Sequence, residues 1–205
     1  MKTKVVCINL LRRPDRKAEV TEEFIKWGLD PSEVDFFEAV DNPENGMAGL
    51  HQTMINVFTK YAGQQILVFE DDVRLYFNKQ YLTTVLSELV LEDWFLFYLG
   101  GNANAPTIRY GSKGNVYRVR GGFHTTHAIL YSAEATTYLD SRFGMPSEVT
   151  RENTIDVWLS QYVQPYFPCY TAFPAIASQK WGYSDICKFE TNYDYFYSKS
   201  LKFYK

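Results

Sequence analysis

Residues 66–73 read Ile-Leu-Val-Phe-Glu-Asp-Asp-Val, and the three adjacent carboxylates Glu70, Asp71 and Asp72 are the side chains best placed for chemistry. They follow an apolar run of strand length, so they belong at its carboxyl end, on the edge of a core. In an extended chain Glu70 and Asp72 point to one side and Asp71 to the other. Three like charges this close repel one another unless a cation or hydrogen-bond donors compensate. A hard divalent ion, Mn²⁺ or Mg²⁺, does so using one or two carboxylates together with phosphate oxygens of a substrate. A solvated acidic turn capping the next helix would show the same triplet. The buried strand before it and the alternating pattern around it favour the metal site.

Those acids must be positioned by the elements on either side. Residues 5–10 form a short β-branched run that ends in charge, a buried strand. Pro14 and Asp15 open a helix with Ala18, Phe24, Ile25 and Trp27 among its apolar positions, and Gly28 stops it. The pattern predicts strands over 34–40 and 66–69, with a helix over 49–61 between them. It predicts a helix over 81–90, then strands over 94–99, 116–119 and 125–131. Helices over 133–142 and 155–162 and a strand over 169–172 follow, with a Tyr-rich terminal helix or ordered tail over 193–204. Strands alternating with helices predict an α/β fold of Rossmann-like type, a mostly parallel central sheet flanked by helices. In such sheets ligands bind beyond the carboxyl ends of the strands, where Glu70–Asp72 lie.

The chain has 205 residues, enough for one domain with a substantial core, and no repeat or linker divides it. A formal charge of -3 argues against nucleic acid as a partner. Tyr (16) and Phe (15) are abundant; rings suit the apolar face of a sugar, although packing is the simpler account for most of them. Cys7, Cys169 and Cys187 have no metal-type spacing and are odd in number, which fits a reducing compartment. No apolar run is long enough for a transmembrane segment, and Arg12–Arg13 interrupts the first apolar stretch without a cleavage site, so a cytoplasmic location is expected.

With these pieces in order, the chain resembles glycosyltransferase family 25, the lipooligosaccharide and collagen galactosyltransferase-like group. Ile8-Asn9-Leu10-Leu11-Arg12-Arg13-Pro14-Asp15-Arg16 resembles its INL-x-R-x-x-R opening, and Phe36 to Asp41 its F-x-A-V-D segment. Leu67 to Val73 resembles L-x-L-E-D-D-V, and Phe97 to Gly100 resembles L-x-L-G. Thr126-His127-Ala128 with Tyr131 and Ser132 resembles T-H-A-Y-x-x-S, Ile155-Asp156 the later I-D step, and Gln179 with Ser184-Asp185-Ile186 a Q…SDI ending. One departure stands out: aligned on Gly49, the family's G-C-x-x-S-H puts Thr53 at the serine and Met54 at the histidine, with His51 three residues earlier.

The resemblance implies a GT-A type fold, a UDP-sugar donor, a glycan or glycolipid acceptor and inverting transfer of galactose or another hexose or pentose. It implies one domain over 1–205, with 1–100 binding the nucleotide sugar and 101–205 the acceptor. Asp72 becomes the direct metal ligand, with Glu70 or Asp71 reaching ribose, sugar or metal-bound water. Asn9, Leu10 and Arg12 line the nucleotide pocket, joined by Asp41. Arg13 and Arg16 contact donor phosphates, although surface charge accounts for Arg16 equally well; their planar donor forks suit that role. Asp156 is the candidate base that deprotonates the acceptor, against a plain helix-capping role, with Glu152 and Asp185 as alternatives. His127 is a candidate for metal or substrate, against a structural strand histidine, with His124 just before it. Gln179 and Trp181 sit in a loop that could meet donor or acceptor, packing being the simpler role for Trp181. Two other classes compete: a silent GT-A domain used as a carbohydrate-binding scaffold, and a metal-dependent nucleotidyltransferase. The latter would usually carry a Gly-rich loop after the first strand, and residues 10–16 contain no Gly.

Overall fold

Alternation along the central strands explains why their sequences read as continuous apolar runs. Val6, Ile8, Ile66, Val68, Leu96 and Tyr98 enter one core, while Cys7, Leu67, Phe69, Phe97 and Leu99 enter a second on the opposite face. A strand buried on both faces has no polar side to show. These features come from a computed structural model that describes residues 3–89, 93–110, 114–186 and 188–205.

In chain order the elements are β1 (Lys4–Asn9), α1 (Pro14–Trp27), β2 (Val34–Glu38), α2 (Gly46–Lys60), β3 (Ile66–Glu70), β4 (Val73–Leu75) and α3 (Lys79–Leu86). There follow β5 (Leu96–Tyr98), β6 (Asn102–Ala103), β7 (Ile108–Tyr110), β8 (Val116–Val119), β9 (Phe123–His124) and β10 (Ala128–Tyr131). The chain ends through α4 (Ala133–Arg142), α5 (Ile155–Tyr162), β11 (Cys169–Ala172), β12 (Ala177–Gln179), β13 (Gly182–Ser184), β14 (Phe189–Thr191) and α6 (Tyr193–Ser200). An eight-stranded sheet runs in the order β2-β1-β3-β10-β5-β11-β8-β7. Six of the eight strands point one way; β10 and β8 run against them. The fold is therefore α/β, with a large, mostly parallel sheet flanked by helices.

Local signals set the helix ends that bear on the site. Pro14 begins α1, where its missing N–H costs nothing, and Gly28 ends it in the left-handed conformation at φ 86°. Asn45 accepts the Ala48 N–H at 3.1 Å to cap α2. Packing of α1 and α3 covers one face, through Val20, Phe24, Trp27, Leu82 and Val85. The other face is covered by α2, α4 and α5, through Met54, Val57, Phe58, Leu139 and Leu159.

Several boundaries differ from the sequence expectation. The strand expected from 125 begins at Ala128, because Thr125 sits at φ 87°, outside extended geometry. The helix expected over 81–90 runs Lys79–Leu86 and tightens into a 3₁₀ turn at Ser87–Leu89; Val90 lies outside the described residues. The C-terminal segment is helical to Ser200 and then forms a 3₁₀ turn. Among the described residues, no helix is long and apolar enough to cross a membrane. Cys7 and Cys169 are free and buried on central strands, and Cys187 lies outside the described residues.

Candidate functional site

The carboxyl ends of β1, β2 and β3 open on a cleft of about 320 Å³. Leu10, Arg12, Arg16, Asp41, Glu70, Asp71 and Asp72 all face it, so the structure brings together most residues named from the sequence. Asn9, Arg13, His127 and Asp156 are not among its walls. The alternation expected for Glu70–Asp72 stops at Glu70, where β3 ends; the turn that follows lets all three acids line one cleft.

Each acid is compensated differently. Asp71 accepts from Asn9 Nδ2 at 2.7 Å and from Arg16 Nη1 at 3.0 Å. Asn9 thus stands behind the cleft as a support for Asp71, while its amide also donates to the Arg13 carbonyl at 3.2 Å. Glu70 accepts from Thr126 Oγ1 at 2.5 Å. Asp72 keeps one buried oxygen, Oδ1, with no hydrogen-bond partner among the described residues. Burial raises the Glu70 carboxyl, and the Asp72 charge adds to the rise. Burial also raises Asp72, against the opposing pull of the Arg16 guanidinium.

The turn from β1 into α1 carries Arg12 and Arg13 and the first turn of α1 carries Arg16, and a strap from late in the chain closes on all three. Asp185 accepts from Arg12 Nη1 at 2.9 Å and from Arg13 Nη1 at 2.5 Å, with Arg16 Nη2 at 3.6 Å. Arg12 also holds Asp41 at 2.8 Å, Arg13 holds Asp15 at 2.7 Å, and Arg16 donates to the Tyr183 carbonyl. The strap is pinned further by Lys180 N–H to the Asp72 carbonyl at 2.7 Å and by Lys188 Nζ to the Pro43 carbonyl at 2.7 Å. Asp185 is thus a clasp residue. At 172 and 173 residues from its partners in sequence, it offers no local signal for that role.

The clasp has a pH signature. Burial raises the Asp185 carboxyl, but hydrogen bonding from Arg12 and the charges of Arg16 and Arg13 outweigh it and hold it below its ordinary value. Stability from a depressed carboxylate is complete above its unfolded pKa, near 4, and is lost as pH falls through the lower folded value. The thermal midpoint of the wild type should therefore exceed that of Asp185→Asn by a constant margin above about pH 5, and the margin should shrink below about pH 4. A margin unchanged down to about pH 3 would exclude a charged clasp.

The remaining candidates lie around this centre. Asp156 Oδ1 accepts from Thr154 Oγ1 at 2.6 Å and from Val157 N–H at 2.9 Å, while Oδ2 lies 3.9 Å from His124 Nδ1. His127 lines a small niche next to the cleft, and Gln179 borders both. Burial pushes the His127 imidazole down to about 4. Trp181 is 66% exposed, so the packing role expected for it does not hold. His51 stacks on Phe143 at 4.2 Å and bonds the Gly144 carbonyl at 3.0 Å, a structural histidine. Met54 is buried in the core, whereas Gly46, Leu50 and Thr53 of α2 face the cleft. The departure at position 54 therefore removes no cleft side chain. Lys188, Tyr183 and Tyr193 are wall residues that sequence reasoning missed.

Among the described residues, no three His, Cys, Asp or Glu side chains converge as a ready-made metal cage. A Mg²⁺ or Mn²⁺ bound mainly by substrate phosphates and water needs only one or two carboxylates. The unpartnered Asp72 Oδ1 fits that need, and Asp71, already bonded twice, does not. Charge agrees: Asp41, Glu70, Asp71, Asp72 and Asp185 outnumber Arg12, Arg16 and Lys188 on the walls. An anionic ligand entering this cleft gains from a cation entering with it.

No protein-family model matches the chain, and no curated protein matches it. Its fold is similar to that of a solved glycosyltransferase involved in glycosylation of the major capsid of PBCV-1. The TM-score is 0.54 with 14% sequence identity, covering 90% of this chain and 95% of that one. At that identity the likeness is one of fold.

Proposed function

We propose that this chain is a metal-assisted glycosyltransferase of the family 25 type, moving a sugar from a UDP-sugar to a hydroxyl of a glycan or glycolipid with inversion. The observation that carries this reading is Asp72 Oδ1, a buried carboxylate oxygen without a hydrogen-bond partner among the described residues, in a cleft that arginines also enter. The similarity of fold to a glycosyltransferase supports it.

In this reading the nucleotide occupies the cleft between Leu10, Asp41 and Leu50. Arg12 and Arg16 face the diphosphate, with Arg13 behind them. Asp72 holds Mn²⁺ or Mg²⁺ with help from Glu70, while Asn9 and Arg16 fix Asp71 beside them. The ion supplies Lewis-acid stabilisation of the leaving diphosphate. Asp156, with Oδ1 held by Thr154 and Val157, keeps Oδ2 to take the acceptor's proton. Residues 1–100 furnish the floor of the donor side and the strap over 179–188 closes on it, while the acceptor side of the same domain falls to the rest of 101–205.

Calorimetry of UDP with wild-type protein tests the donor site. Binding is expected with Mn²⁺ present and should weaken by about tenfold or more after EDTA, a change of about 1.4 kcal/mol or more. No heat of UDP binding in either condition would sink the proposal.

A further inference from the structure

Across Gln179 from the cleft lies a niche of about 10 Å³, lined by Gly101, Asn102, Thr125, His127 and Tyr193 among others. That is room for a single water-sized group. Its walls hold polar atoms short of partners. His127 is 3% exposed and lies beside the Ala177 backbone, yet neither ring nitrogen completes a well-formed hydrogen bond among the described residues. Thr125 Oγ1 is likewise buried without a partner among the described residues. Buried polar groups are nearly always paired, so orphans gathered in one niche ask for a missing partner.

Backbone strain points to the same place. Thr125 is β-branched and stands at φ 87°, in the left-handed region that favours glycine. Such strain persists where the surroundings enforce it and clusters at ligand sites. The niche also touches the acidic cluster, because the Glu70 N–H donates to the His127 carbonyl at 3.0 Å.

We infer that this niche reads one hydroxyl of the transferred sugar, an inference that rests on the proposed UDP-sugar site. A neutral imidazole offers one N–H and one lone pair, and the Thr125 hydroxyl both gives and accepts; a sugar hydroxyl is complementary to that set. His127 then serves as a specificity residue for the sugar rather than as a metal ligand. A site built this way rejects a donor that lacks the matching hydroxyl, because its buried groups stay unpaired.

The test titrates UDP, UDP-glucose, UDP-galactose and UDP-xylose, with Mn²⁺, into wild type, His127→Ala and Thr125→Gly. Both variants should leave UDP affinity within about twofold and weaken the favoured UDP-sugar about tenfold, flattening the preference among the sugars. The Mn²⁺ dependence of UDP binding should be unchanged. Thr125→Gly should also melt higher than wild type, because glycine accepts its φ without strain, so it carries the test should His127→Ala fail to fold. Unchanged UDP-sugar affinities, equal losses for UDP, or an altered Mn²⁺ requirement would overturn the hydroxyl niche while leaving the donor site standing. Failure of wild type to bind UDP at all would remove both.

Discussion

Replacing Asp72 with Ala is expected to lower the proposed sugar transfer by about a thousandfold. Charge develops on the leaving diphosphate as the glycosidic bond breaks, and a fixed electrostatic partner for such charge contributes about 10²–10³ in rate. In the proposed site that partner is a divalent ion, and Asp72 offers it a buried oxygen, Oδ1, with no hydrogen-bond partner among the described residues, although the Gln179 side chain also approaches this carboxylate. Asp71 is held by Asn9 and Arg16, and Glu70 accepts from Thr126, so neither replaces it without breaking a bond. The same substitution removes one of three neighbouring carboxyl groups, one whose burial disfavours the charged form, so thermal stability should hold or rise. Donor hydrolysis and transfer kinetics, read beside a melting curve, separate the two effects. A variant that keeps more than about a tenth of wild-type kcat/KM would exclude Asp72 from the metal site.

Arg16→Ala is expected to cost about 2–4 kcal/mol of folding stability, because it leaves the Asp71 charge in place with one partner fewer. The two side chains are 15% and 10% exposed, so water repairs little of the loss. Asn9 still donates to Asp71 at 2.7 Å, which keeps the expected loss short of that for a carboxylate stripped of every partner. Arg16 also donates to the Tyr183 carbonyl, so the strap loses an anchor in the same variant. Adding Asp71→Asn should recover part of the stability, since an amide needs no counter-charge; urea unfolding of the single and double variants measures it. Equal stability of Arg16→Ala and wild type would mean that the pair is too solvated to matter.

Much of this site was legible because its parts are local. An apolar run passing directly into Glu70-Asp71-Asp72 places acids at a strand end, and Pro14 and Gly28 bracket α1 by backbone preference alone. Short continuous apolar runs marked the central strands, since β1, β3 and β5 each supply both cores and show no polar face. Illegible features depend on distant partners. Nothing near Asp185 announces that it meets Arg12 and Arg13, because the contact is made only by the tertiary fold. Strands of two or three residues, such as β6, β9 and β13, are too short to show a period. The pointing of Asp71 was misjudged because alternation holds only while the strand lasts. Thr125 was read as a strand residue because β-branched side chains favour strands; its backbone is held otherwise by the surrounding structure.

The place of β10 in the sheet has a consequence for how the molecule is assembled. β3 and β5 do not pair with each other; Ala128–Tyr131 lies between them and hydrogen-bonds to both. Until residue 131 has been synthesised, two strands that are apolar but for Glu70 present unpaired edges, which invite pairing with other chains. The first hundred residues therefore have no closed sheet of their own, and their folding waits on a segment that begins 57 residues after Asp71 at Ala128. Closure of so wide a loop favours slow folding. The edges that β3 and β5 turn toward β10 are an aggregation hazard between emergence of Phe97 and arrival of Leu130, the residue that pairs with it, and the other edge of β5 waits longer, for Cys169–Ala172.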